Sequence, residues 1–191
     1  MHTIEPYYNW RHIYIASEDE RSPFYEREYS EFEYTNTIYN FFIHPQWDDI
    51  DSPTLYIKIL ATDYDNGYAI IELIGEWNDC INNDIMTLKR EIIDEMISQG
   101  IYKFILIGEN ILNFHTSDDS YYEEWVDDIK ENGGWVVAVN FRDHVLKEMN
   151  TIKLSNYINY GNNFNDLNWR VYKPKHFFSL INTMVNKSLG Y

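Results

Sequence analysis

The segment HTSDDSYYEE, residues 115–124, sets one histidine, three aliphatic hydroxyls and four carboxylates in ten positions. Two more acidic segments, EWNDCINND from Glu76 and NFRDH from Asn140, add Glu76, Asp79, Asp143 and His144, and Glu109 opens ENILNF. Hard divalent cations take several carboxylate oxygens, so Glu76, Asp79, Glu109 and Asp143 are the residues that would hold magnesium or calcium. With His115 and His144 as proton carriers, that set describes a small divalent-metal-dependent hydrolase, the catalytic reading of this chain. Spacing argues the other way. These residues fall into no ordered ligand pattern, and the chain has no phosphate-cradling glycine loop, dinucleotide glycine pattern, nucleophile elbow or His-Glu-x-x-His pair. The single cysteine, Cys80, allows no internal disulfide and no thiolate cluster. A non-enzymatic protein without a cofactor is the expectation. The plain alternative for HTSDDSYYEE is a helix N-terminus, capped by Ser117 or Ser120, with its acids at the positive end of the helix dipole.

The elements that must position these loops are legible from Thr54 onward. TLYIKILA and YAIIELIGEW are strand-like runs separated by DYDNG, whose Asn66-Gly67 pair predicts an antiparallel hairpin. NNDIMTLKREIIDEMISQG places Ile85, Leu88, Ile92 and Met96 at helical spacing, with Asp84 as cap and Gly100 as stop. YKFILIG reads as a central parallel strand. Ser120–Asn132 reads as a helix with a Ser120/Glu123 capping box and a stop at Gly133-Gly134. WVVAVNF is a further buried strand, RDHVLKEMNTIKL a short helix, NYINYG and NWRVYKP edge strands, and Phe177–Leu189 an amphipathic terminal helix. Strands alternating with helices predict crossover connections, hence a mixed, mostly parallel sheet with helices packed on it.

Composition separates the ends. The chain is 191 residues long with net charge −16, and residues 151–191 hold five bases against one acid, so the first 150 carry −20. Such a charge disfavours nucleic acid and anionic membrane surfaces as partners. Neither a basic, apolar leader nor a stretch of about 20 apolar residues is present, so the cytoplasm is the expected compartment. Between Phe24 and Trp47 nine of twenty-four residues are aromatic, too much apolar surface for a disordered tail. TIYNFFIH reads as a strand and HPQWDDIDSP as a loop, which puts a boundary near Ser52. Residues 1–53 form an aromatic-rich extension and 54–191 the α/β domain. The rings of the extension cover a face of the sheet, form a partner or homodimer surface, or, third in order, line a groove for a small ligand.

Three stretches carry a family resemblance. Gly75-Glu76-Trp77-Asn78 ends the second strand of the hairpin and turns into the first helix. ILIGENILNFHTSDD runs a strand through an apolar bend into His115-Thr116-Ser117-Asp118 at the start of the next helix. VVAVNFRDHVLKEMNTIKLSNYINY supplies strand, helix and short strand. In this order, over about Gly67 to Tyr160, the chain resembles a STAS domain, the fold of bacterial anti-sigma-factor antagonists and of regulatory domains on anion transporters. The resemblance implies a regulatory, protein-binding domain whose second-helix loop is phosphorylated by a partner kinase on the second serine of an Asp-Ser-Ser-Gly motif. Ser117 holds that place, with Thr116 beside it. His115, Asp118, Asp119, Trp77 and Asn78 are the implied partner contacts. His115 stands where the family has aspartate and Asp118 where it has glycine, so fixed negative charge occupies the spot a phosphate would reach.

Overall fold

The computed structural model describes residues 2–30, 32–34 and 36–188. In chain order these form β1 (His2–Ile4), β2 (Thr37–Ile38), β3 (Phe41–Ile43), β4 (Asp48–Asp49), β5 (Leu55–Asp63), β6 (Tyr68–Asn78) and helix α1. Then come β7 (Lys103–His115), α2 (Ser120–Lys130), β8 (Trp135–Val139), α3 (Asp143–Thr151), β9 (Ile158–Asn159) and α4 (Pro174–Ser188). Helix α1 begins as Asp84–Leu88, widens into a π-helical turn over Lys89–Ile93 and ends as Asp94–Ser98. Leu189, the last residue of the terminal helix expected from sequence, lies outside the described residues.

A six-stranded mixed sheet in the order β4-β5-β6-β7-β8-β9 forms the centre. β4 pairs antiparallel with β5 and β5 antiparallel with β6, whereas β6 through β9 are parallel, joined by helical crossovers. Both faces of this sheet are covered, and for that reason β6 and β7 read as continuous apolar runs rather than alternating ones. On one face Leu73, Phe104 and Ile111 pack with Leu88 and Ile92 of α1, Trp125 of α2 and Val145 of α3. On the other, Ile70, Ile105 and Val137 pack with Trp10, Trp169 and the Phe177–Ile181 stripe of α4. Each such aliphatic or aromatic side chain, fully buried, contributes roughly 1.5–3 kcal/mol before entropy is counted.

Several local expectations change. TIYNFFIH is not one strand but two, β2 and β3, folded back at Tyr39, whose φ of 52° lies in the left-handed region. β1 adds in parallel to β3, making a separate three-stranded sheet. The HPQWDDIDSP loop contains β4, the edge of the main sheet, and the rings of Trp10, Phe24 and Trp47 are all buried in the core clusters. NWRVYKP does not pair as an edge strand. Trp169 is drawn into the core, where its Nε1 donates to Glu109, and the backbone coils as a 3-10 turn over Trp169–Val171.

Helix starts differ too. Asp84 is the first residue of α1, not its cap, and its carboxylate turns back to the Asn78 amide (2.7 Å). The Ile85 amide is taken instead by Asp79 (2.8 Å). At α2 Asp119 is the boundary residue, and neither Ser117 nor Ser120 caps. Ser120 donates its own amide to Asp118 (3.1 Å), and Glu123 bonds through its amide to the Asp119 carbonyl (2.9 Å), so the capping box does not form. The π-helical turn has a clear accompaniment: Lys89, fully buried, meets Asp128 (2.7 Å), Glu124 (3.7 Å) and Asp94. Burial works against its charge, but Asp128 and Asp94 outweigh that and raise its pKa.

Candidate functional site

β6 and β7 end side by side, with Trp77 opposite Phe114 and Asn78 opposite His115. The two loops that leave them are therefore neighbours at the carboxyl edge of the parallel strands, where open α/β sheets place their sites. The Asp79 amide donates to the His115 carbonyl (2.7 Å), tying one loop to the other. The Asp79 carboxylate then joins three elements. Oδ1 accepts from Trp77 Nε1 (2.9 Å) and from the Ile85 amide, and Oδ2 accepts from the Tyr122 hydroxyl of α2 (2.6 Å). Burial outweighs these bonds and pushes Asp79 up to about 6, and burial and Asp79 together raise Tyr122 well above its ordinary value. Asp84, wholly buried, is likewise raised by burial, and its Oδ1 has no hydrogen-bond partner among the described residues. Glu76 is different. It accepts from the Tyr39 hydroxyl and from Asn78 Nδ2 (2.8 Å), and the tyrosine bond lowers its pKa.

Above this buried frame lies HTSDD. His115 and Ser117 are exposed, and Thr116 is half-buried with its hydroxyl on the Asp118 carbonyl (3.0 Å). Asp118 is exposed but held by the Ser120 hydroxyl and amide, which lower its pKa. Asp119 accepts from the Tyr157 hydroxyl (3.0 Å). Two carboxylates fixed by neighbours thus follow Ser117 directly.

The partner-contact set needs correction. Trp77 and Asn78 are 2% and 5% exposed, and Trp77 lies among the core rings of Phe114 and Tyr122, so neither offers a surface. The loop instead presents Cys80 and Ile81, the latter 81% exposed. The cation set needs correction as well. Glu76, Asp79, Glu109 and Asp143 do not converge, and among the described residues no three His, Cys, Asp or Glu side chains could hold a metal ion. Asp79 faces Tyr122 on the α1–α2 side of the sheet, whereas Glu109 faces Trp169 on the other. A bulge is responsible. Glu72 of β6 is opposite Ile107 and Ile74 opposite Asn110, so Gly108 and Glu109 share one place in the ladder.

That bulge builds a second polar cluster not foreseen from sequence. Glu109 Oε1 accepts from Trp169 Nε1 and Asn140 Nδ2 (both 2.8 Å), and Oε2 meets Arg170 (2.7 Å). Burial opposes its charge, but Arg170, Asn140 and Trp169 lower its pKa overall. Beside it the buried Glu72 accepts the Tyr7 amide (2.8 Å), with Arg170 4.0 Å away. Burial pushes Glu72 up to about 7, against the Tyr7 bond and Arg170. The one signal in the sequence was a glutamate inside an otherwise apolar strand, AIIELI.

No protein-family model matches this chain, and no curated protein sequence matches it. Among solved structures it is similar to the anti-sigma factor antagonist SpoIIAA in its unphosphorylated form. That likeness covers 56% of this chain and 89% of the other, at 14% identity and a TM-score of 0.45.

Proposed function

We propose that this protein is a STAS-like regulatory domain that binds another protein through the HTSDD loop and the adjoining Cys80–Ile81 turn, with Ser117 as the switch residue. Its supports are the strand–loop–helix layout of the sequence and one observation above all: Ser117 is exposed while everything beneath it is tied down. Asp79 and Tyr122 lock the base of the loop, Asp118 and Asp119 are held just after it, and Ser117 reaches solvent three residues before α2. A phosphoryl group on its oxygen would add about two negative charges beside Asp118 and Asp119, changing the face shown to a partner without disturbing the core. Thr116, half-buried and bonded to the Asp118 carbonyl, is the less accessible hydroxyl.

The partner is a protein. Among the described residues no helix is long and apolar enough to cross a membrane, and the net charge is wrong for a phosphate backbone. Self-association draws on the extension, where Phe32 is 84% and Tyr39 61% exposed. The first test is phosphorylation itself. Incubation with a lysate of the source cell and labelled nucleoside triphosphate should label the protein at Ser117 and leave Ser117→Ala unlabelled; label elsewhere, or none, rejects the switch.

A further inference from the structure

β5 extends well past its partner on the outer side. β4 pairs with Tyr56 and Ile57, so among the described residues no strand lies beside the outer edge of β5 from Lys58 to Asp63. A register shift between Ile59 and Ala61 also leaves Leu60 without a partner on β6. The N-terminal segment crosses this gap without filling it. Between them is a cavity of about 280 Å³, lined by Tyr7, Arg11, Tyr14, Tyr29, Gln46 and Lys58 together with apolar chain from both sides. At ~30 Å³ per water of liquid volume, that is space for a small organic molecule rather than an ion.

Its chemistry runs against the rest of the chain. The protein carries a net charge of −16, yet this lining holds two cations and no Asp or Glu. Lys58 is nearly buried, its side chain 12% exposed. Its ammonium has Asp48 at 3.2 Å and the Tyr29 ring 3.8 Å below it, and an ammonium has three N–H groups to place. Among the described residues Arg11 has Glu5, at 3.6 Å, as its ion partner, and both side chains are exposed. Burial lowers the Lys58 pKa, Asp48 opposes it, and Arg11 and Arg27 add a smaller push in the same direction as burial. The phenol oxygens are occupied elsewhere: Tyr7 on the Arg170 carbonyl, Tyr14 on Asp19 and Tyr29 on Asp48. What the three tyrosines leave for a ligand is ring surface. Small-molecule sites combine such apolar walls with a few convergent polar groups.

We propose that this cavity binds a small aromatic carboxylate, its carboxylate on Lys58 and Arg11 and its ring among Tyr7, Tyr14 and Tyr29. The site lies at the outer edge of β5 and is independent of the Ser117 loop. Bound there, a ligand would hold the N-terminal segment against the sheet.

Calorimetric titration and thermal melting of the full chain test this with phenylacetate, its neutral analogue phenylacetamide, and acetate. Phenylacetate is expected to bind and to raise the melting temperature, with phenylacetamide and acetate each weaker by about tenfold or more, because one lacks the charge and the other the ring. Arg11→Gln, at an exposed side chain that leaves folding intact, is expected to weaken phenylacetate by about tenfold. The double change Lys58→Met with Asp48→Asn, which strands no buried charge, should abolish binding. The proposal is overturned if phenylacetate gives no heat and no melting shift at millimolar concentration, if phenylacetamide binds as well, or if Arg11→Gln binds phenylacetate like the parent.

Discussion

The tetrapeptide Leu-Ile-Gly-Glu occurs at Leu73–Glu76 in β6 and again at Leu106–Glu109 in β7, and the fold uses the two copies in opposite ways. In the first, Gly75 has a φ of +116°, and a Cβ there would overlap the Thr54 carbonyl oxygen of β5's entry. Glu76 then reaches Tyr39 of the small sheet, near solvent. In the second, Gly108 has ordinary backbone angles but carries the Phe141 ring directly on it, and Glu109 is turned by the bulge into the Trp169–Asn140–Arg170 cluster. A shared strand-end sequence therefore fixes neither the direction of its glutamate nor the reason for its glycine. Ladder register and the neighbouring chain decide both.

Substitutions can break that contrast in a definite order. Gly75→Ala should be the most damaging, above about 4 kcal/mol, because positive φ and a backbone oxygen are both in the way and neither can yield. Denaturant unfolding measures it, and Ile38→Ala, which removes the other close neighbour, should give no rescue. Gly108→Ala should cost less, about 1–3 kcal/mol, since the obstacle is a side chain, and Phe141→Leu in the same chain should recover most of it.

Glu72, beside the second copy's cluster, gives the contrast a pH signature. Its folded pKa of about 7 lies above its ordinary 4.5, so its contribution is complete below pH 4.5 and is lost as pH rises through 7. Asp79, raised from 3.8 to about 6, acts in the same sense but is spent one unit lower. Unfolding free energy should therefore fall from pH 5 to pH 8, by about 2 kcal/mol on Glu72's account. Glu72→Gln, which keeps an acceptor for the Tyr7 amide, should flatten the upper part of that slope and leave the Asp79 part. The glutamates of the two tetrapeptides come last. Glu109→Gln loses the Arg170 ion pair for about 1 kcal/mol, whereas Glu76→Gln at the outer edge should stay within about 0.5 kcal/mol.

How far the sequence revealed all this depended on the range of the interaction. The β5–β8 strands and the four helices announce themselves through local patterning, because apolar runs and 3.6-residue stripes are set by the layer each element must cover. β1, β4 and the β2–β3 turn do not, since two or three residues of strand exist only by virtue of a partner distant in sequence. The same holds at the sites. Ser117's exposure follows from a polar loop after a buried strand. Trp77's burial, Asp79's three bonds and the Glu72–Glu109–Arg170 cluster depend on which face each strand turns to which neighbour, and no spacing rule records that.

Whether the Ser117 loop is a switched binding face is tested most directly by quantitative partner capture. Immobilised parent protein, Ser117→Ala, Ser117→Glu and Ile81→Asp are each exposed to lysate of the source cell, and the bound proteins are quantified by mass spectrometry. The expected result is a specific protein held equally by parent and Ser117→Ala, and reduced by about tenfold or more with Ser117→Glu and with Ile81→Asp. Equal capture by all four forms would contradict a partner surface at this edge of the sheet.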